Sequence, residues 1–75
     1  MLSLVETTML ETTVEVHSHS GEVRRFTTVF DKREDAHTQL LELFRALDAS
    51  DMPNEVKSEV FETTLRDGLE FFSRQ

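Results

Sequence analysis

The apolar residues of this chain change their period once, near Phe30, and that change restricts the fold more than any motif does. From Thr8 to His17, Leu10, Val14 and Val16 share one parity, with Thr12 as the polar member of their row. Met9, Glu11, Thr13, Glu15 and His17 share the other parity, the alternation of a half-buried strand. From Glu22 to Phe30, the residues Phe26, Thr28 and Phe30 share a parity with Glu22 and Arg24, while Val23 and Val29 sit opposite. Ser18, His19, Ser20 and Gly21 lie between the two segments and supply turn chemistry, with Gly21 free to take the positive φ of a hairpin bulge. The first half therefore predicts a β-hairpin.

Beyond Phe30 the period becomes helical. Asp31 stands where an N-cap belongs and Glu34 follows three positions on, so a capping box predicts a helix beginning there. Ala36, Leu40, Leu43, Phe44 and Leu47 make one narrow apolar stripe, expected to be core, with Leu41 to one side. Asp48, Ala49, Ser50 and Asp51 break the pattern, and Pro53 fits the first turn of a second helix running to about Phe72. A chain of 75 residues has room for one hydrophobic core, so residues 1–75 are expected to form one domain. The expected fold is α+β, a hairpin followed by two helices in the order ββαα, with Leu2, Leu4 and Val5 available for a third, N-terminal strand.

The second helix carries the strongest signal. Steps of about 100° put Val56, Val60 and Phe71 on one line and Phe61, Leu65, Leu69 and Phe72 on another, with the small Thr64 and Gly68 between them. That arc is wider than the apolar stripe of an ordinary surface helix. Either the segment from Leu2 to Val5 folds over it or a partner covers it. A two-stranded sheet is marginal alone and its edges invite pairing, so a homodimer is expected, with Phe61, Leu65 and Phe72 at or near its interface.

Charge sets the remaining expectations. Fifteen Asp and Glu against eight Lys and Arg give a formal charge of -7, which repels phosphate backbones and argues against direct nucleic-acid binding. The start lacks a basic segment followed by a long apolar run, and no stretch of about eighteen apolar residues occurs, so no membrane span is expected and the cytoplasm is the default location. Glu55, Glu59, Glu62 and Glu70 line the polar face of the second helix, with Arg66 the one basic residue among them. Glu55 with Glu59, and Glu59 with Glu62, are like-charge pairs that each weaken an isolated helix by roughly 0.2 to 0.5 kcal/mol, and Glu62 with Arg66 returns a similar amount. With Glu11 and Glu15 on the hairpin, these carboxylates are the candidate partner contacts, against the plainer account of a solvated face.

The chemistry the chain lacks narrows the field further. There is no Cys, so thiolate nucleophiles, thiolate metal sites and disulfides are excluded. No G-x-S-x-G elbow or Gly-rich phosphate loop is present, and the neighbouring carboxylates Asp48 and Asp51 have little volume in which to build a closed pocket, so no catalytic residue, cofactor or enzyme activity is expected. His17 and His19 form an H-x-H pair, but a third ligand from His37, Glu15 or Glu22 is not fixed by the spacing, and no metal site is expected. The ETT triplets at residues 6–8, 11–13 and 62–64 have no repeat period and reflect composition.

In size and charge the chain is similar to the small regulators and inhibitors encoded by phages and other mobile elements, anti-defence proteins included. That similarity implies a non-enzymatic binding protein that inhibits or regulates a larger protein or nucleoprotein complex, by steric blocking or by phosphate mimicry. The alternative is an accessory subunit whose apolar second-helix surface is permanently covered by another chain.

Overall fold

Alternation and turn chemistry together place the hairpin where the sequence puts it. In a computed structural model, which describes residues 9–74, β1 (Leu10–His17) pairs antiparallel with β2 (Val23–Phe30) in a register running from Leu10↔Phe30 to His17↔Val23. The Gly21 N–H donates to the Ser18 carbonyl (3.1 Å), the Ser18 N–H donates to the Glu22 carbonyl (2.9 Å), and Gly21 has φ of 87°. These two bonds close a tight turn with a bulge whose left-handed position favours glycine. The register sets Leu10, Thr12, Val14 and Val16 beside Phe30, Thr28, Phe26 and Arg24 on the inner face. The expected third strand at Leu2 to Val5 lies outside the described residues.

Two helices cover that inner face, α1 (Ala36–Ala49) and α2 (Asn54–Ser73), completing an α+β fold of order ββαα. The expected start of the first helix is corrected here. Asp31 does not cap it: its carboxylate accepts the N–H of Lys32 (2.6 Å), and a three-residue 3-10 turn, Arg33–Asp35, precedes the first α-helical residue. The turn swings Arg33 over the end of α2, where its guanidinium donates to the Phe72 carbonyl (2.9 Å) and lies 5.9 Å from the Phe72 ring centre. A cation there satisfies an orphan carbonyl at the negative end of the helix dipole. Pro53 sits one position earlier than expected, as the N-cap of α2, and its carbonyl accepts the N–H groups of Val56 and Lys57.

The buried face of α2 is the strip between the two apolar lines. Val60, Thr64, Gly68 and Phe72 recur every fourth residue and are buried, whereas Val56, Phe61, Leu65 and Phe71 lie half-buried on the flanks. Gly68 belongs there for a steric reason: a Cβ built on it would stand 2.9 Å from the Phe30 ring. Phe30, 1% exposed, fills that space and meets the Phe72 ring edge-on at 5.9 Å. Leu43 and Leu47 of α1 close the core against Val60. Three buried threonines, Thr12, Thr28 and Thr64, interrupt this apolar interior. The Thr12 hydroxyl donates to Asp67 of α2 (2.7 Å), but the Thr64 hydroxyl, buried with its residue 1% exposed, has no hydrogen-bond partner among the described residues.

Phe44 departs from the expected core stripe. Its side chain is 54% exposed, and its ring meets Phe61 edge-on with ring centres 6.3 Å apart. Phe72, 8% exposed, is part of the chain's own core.

Candidate interaction surface

Because the sheet occupies one side of α2, the residues half a turn away are left to solvent. Glu55, Glu59, Glu62 and Glu70 are all exposed there, opposite the buried strip, as about 100° per residue requires. Glu70 pairs with Arg74 one turn on. Glu55, Glu59 and Glu62 have no salt-bridge partner among the described residues, and the expected pairing of Glu62 with Arg66 is not formed. The ridge thus carries three uncompensated carboxylates within two turns of helix.

Next to the ridge runs an apolar seam between the helices. Phe44 and Leu41 of α1 and Leu69 of α2, the last 63% exposed, leave much of their surface in water, and Phe61 and Leu65 line the seam half-buried. At the end near the α1–α2 link the seam deepens into an open groove of about 350 Å³ whose walls include Phe44, Phe61, Asp48, Lys57 and Glu62. Its origin is geometric. The helices meet through Leu43, Leu47 and Val60 beneath, and among the described residues no third layer packs on their outer apolar side chains.

The hairpin's carboxylates have different surroundings. Glu15 is exposed but faces Arg25 across the ladder, accepting from its Nε at 2.9 Å, and lies 3.2 Å from His17 Nε2. Arg25, and secondarily His17, hold the Glu15 carboxyl below its usual range. The hydroxyls of Thr13 and Thr27 join at 2.9 Å in the next pair. Glu11, also exposed, stands opposite Val29 and has no salt-bridge partner among the described residues. The Glu15–Arg25 pair follows once the bulge at Gly21 lets Ser18 close on Glu22, because counting back from a turn of Ser18 to Gly21 alone would have set Glu15 opposite Arg24.

A second groove, of about 390 Å³, opens at the hairpin tip between Val16, Met52 and Val56. Arg24 crosses it to reach Asp51 (2.8 Å), with Glu22 at 3.6 Å, so the inner row of the sheet ends in an ion pair to the helix link. That guanidinium lowers the carboxyl pKa of Asp51. His17 and His19 lie on the rim. Among the described residues no group of three His, Cys, Asp or Glu side chains is arranged to hold a metal ion. No described helix is long and apolar enough to cross a membrane.

Comparison of the chain with protein-family models, with curated proteins and with solved structures gives no match. Function has to be argued from the surface itself.

Proposed function

We propose that this chain is a non-enzymatic protein-binding module that inhibits or regulates a larger protein or nucleoprotein complex by occupying a basic surface on it. The observation that carries this reading is the juxtaposition on α2 of uncompensated carboxylates, Glu55, Glu59 and Glu62, with the exposed apolar seam at Phe44 and Leu69. Exposed aromatic and aliphatic anchors beside like charges are the makings of an interface core with a polar rim. The seam also favours steric blocking over phosphate mimicry, because a surface imitating a nucleic-acid backbone has no use for apolar residues among its charges. Glu70 takes a lesser part because Arg74 engages it, and Glu15 because Arg25 does.

The same exposed seam supports a second reading, an accessory subunit whose helical surface is covered permanently. Expression alone separates the two: a binding module is monodisperse and folds cooperatively by itself, and a permanent subunit requires co-expression. The first reading is tested by affinity purification with mass spectrometry, comparing the native chain with a Glu59→Lys, Glu62→Lys variant. Loss of a retained protein from an equally folded variant is the expected result. An unchanged set of retained proteins would make the ridge a solubility device.

A further inference from the structure

The seam between α1 and α2 has a length, a shape and a charge, and together they specify an occupant. Phe61, Leu65 and Leu69 follow one another at four-residue intervals, so they extend along α2 for about 12 Å at 1.5 Å per residue. Phe44 stands on the facing helix α1, with Leu41 exposed about one turn before it, and the Phe44–Phe61 contact joins the two helices there. A trough walled by two packed helices suits a third, which settles in such a groove at about 8 to 10 Å from its neighbours. Two to three turns of an amphipathic helix, with apolar residues at i, i+3, i+4 and i+7, match the trough in length and in the position of its anchors.

Charge then decides which helix. Asp48 on the α1 side and Glu62 on the α2 side stand at the groove, with Glu55 exposed on the same side of α2. Lys57 is the cation lining the groove, and its charge also acts on Asp51 at the link. Arg66 stands one turn beyond Glu62. A second copy of this chain would bring its own Asp48 and Glu62 into the same desolvated trough and add another formal charge of -7 to the assembly. A helix carrying Lys or Arg beside its apolar stripe would instead neutralise these carboxylates.

We infer that the α1–α2 seam is a docking groove for a cationic amphipathic helix of a partner protein, seated on Leu41, Phe44, Phe61, Leu65 and Leu69 with its basic residues toward Asp48, Glu55 and Glu62. This rests on the reading of the chain as a binding module and names the chemistry of the partner element.

The test uses the full chain and three synthetic probes. One is a fourteen-residue helical peptide (about four turns) of Leu on one face and Lys on the other; the second has Glu in place of Lys, and the third has the Lys peptide's composition in scrambled order. Titration followed by calorimetry and by methyl and aromatic NMR should show saturable one-to-one binding of the Lys peptide, with shifts concentrated at the five seam residues. The Glu and scrambled peptides should bind at least tenfold more weakly. Leu69→Ser, at a site already exposed, should weaken binding about tenfold without loss of fold, and Glu62→Lys several-fold. Equal binding of the scrambled peptide, shifts centred on the hairpin, or an unaffected Leu69→Ser variant would overturn the proposal. So would a dimeric mass by light scattering with the seam protected, because the occupant would then be a second copy. If no peptide binds while affinity purification still recovers a ridge-dependent partner, the groove inference fails and the binding-module reading stands.

Discussion

The solvent face of the hairpin and the solvent face of the helix pair belong to one small domain, yet they are finished to different degrees. On the hairpin, cross-strand neighbours satisfy one another: Glu15 meets Arg25 and Thr13 meets Thr27. On the helices, Glu55, Glu59 and Glu62 stand without counter-charges among the described residues, on the helix pair that also exposes Phe44 and Leu69. The difference shows where the chain's composition is spent. Its acidic excess is concentrated on the element that also exposes Leu69, while the basic residues of β2 are used to tie the sheet together and to the helix link.

Five experiments break or sharpen this contrast. Both faces depend on one core, so Phe30→Ala should abolish them together. Removing a fully buried Phe costs about 3 to 5 kcal/mol, comparable with the whole stability of a small domain, and the cooperative melting transition followed by circular dichroism should disappear. A variant that still melts cooperatively near the native temperature would show that Phe30 is not the keystone of the packing. Gly68→Ala comes next. It gains about 1 kcal/mol of helix propensity but forces a methyl against the Phe30 ring, and overpacking of a core typically costs about 1 to 3 kcal/mol. Stability measured by urea unfolding should fall, and Phe30→Leu in the same background should recover part of the loss. A more stable Gly68→Ala protein would mean that the ring yields freely.

Thr64→Val should act in the opposite direction. It removes the hydroxyl that is buried without a partner among the described residues and leaves a side chain of the same shape, a change worth about 1 kcal/mol of stabilisation. The melting temperature should rise by roughly 4 to 8 °C. A fall would show that the hydroxyl has found a partner in the folded protein. The smallest effect separates the two faces directly. Arg25→Glu on the hairpin should lower the melting temperature, and Glu59→Lys on α2 should not, because only the first breaks an existing pair. Acid titration extends this contrast. Glu15 and Asp51 have folded pKa values below their ordinary ones, so their contribution is present above the ordinary carboxylate range and is lost as pH falls through it toward the lowered values. Arg24→Gln, Arg25→Gln should flatten the acid limb of the stability curve; an unchanged limb would assign it to other groups.

The parts of the fold that depend on spacing were legible in the sequence. Alternation placed both strands, Gly21 marked the bulge, and the small residues Thr64 and Gly68 marked the strip of α2 that admits Phe30. The parts that depend on a distant partner were not. Asp31 looks like a cap until the need to carry Arg33 to the Phe72 carbonyl draws out a 3-10 turn. Phe44 and Phe72 both satisfy a helical period, and only the position of the sheet decides that one faces water and the other the core. The carboxylate ridge was legible as a row of exposed acids. The α2 side of the seam was legible too, as the line of Phe61, Leu65 and Leu69, but the α1 side was not, because Phe44 falls on the expected core stripe and only the packing of Leu43 and Leu47 against Val60 turns it outward.

The packing of Phe30 against Gly68 and Phe72 also bears on how the chain is made. The ring that closes the core is complete before α2 has been synthesised, but its socket is formed by residues 38 and 42 positions later in the sequence. A hairpin of two strands is marginal without such a cover. On the ribosome α1 can reach β2 first, but the Phe30 ring lacks its socket until the second half of α2 emerges.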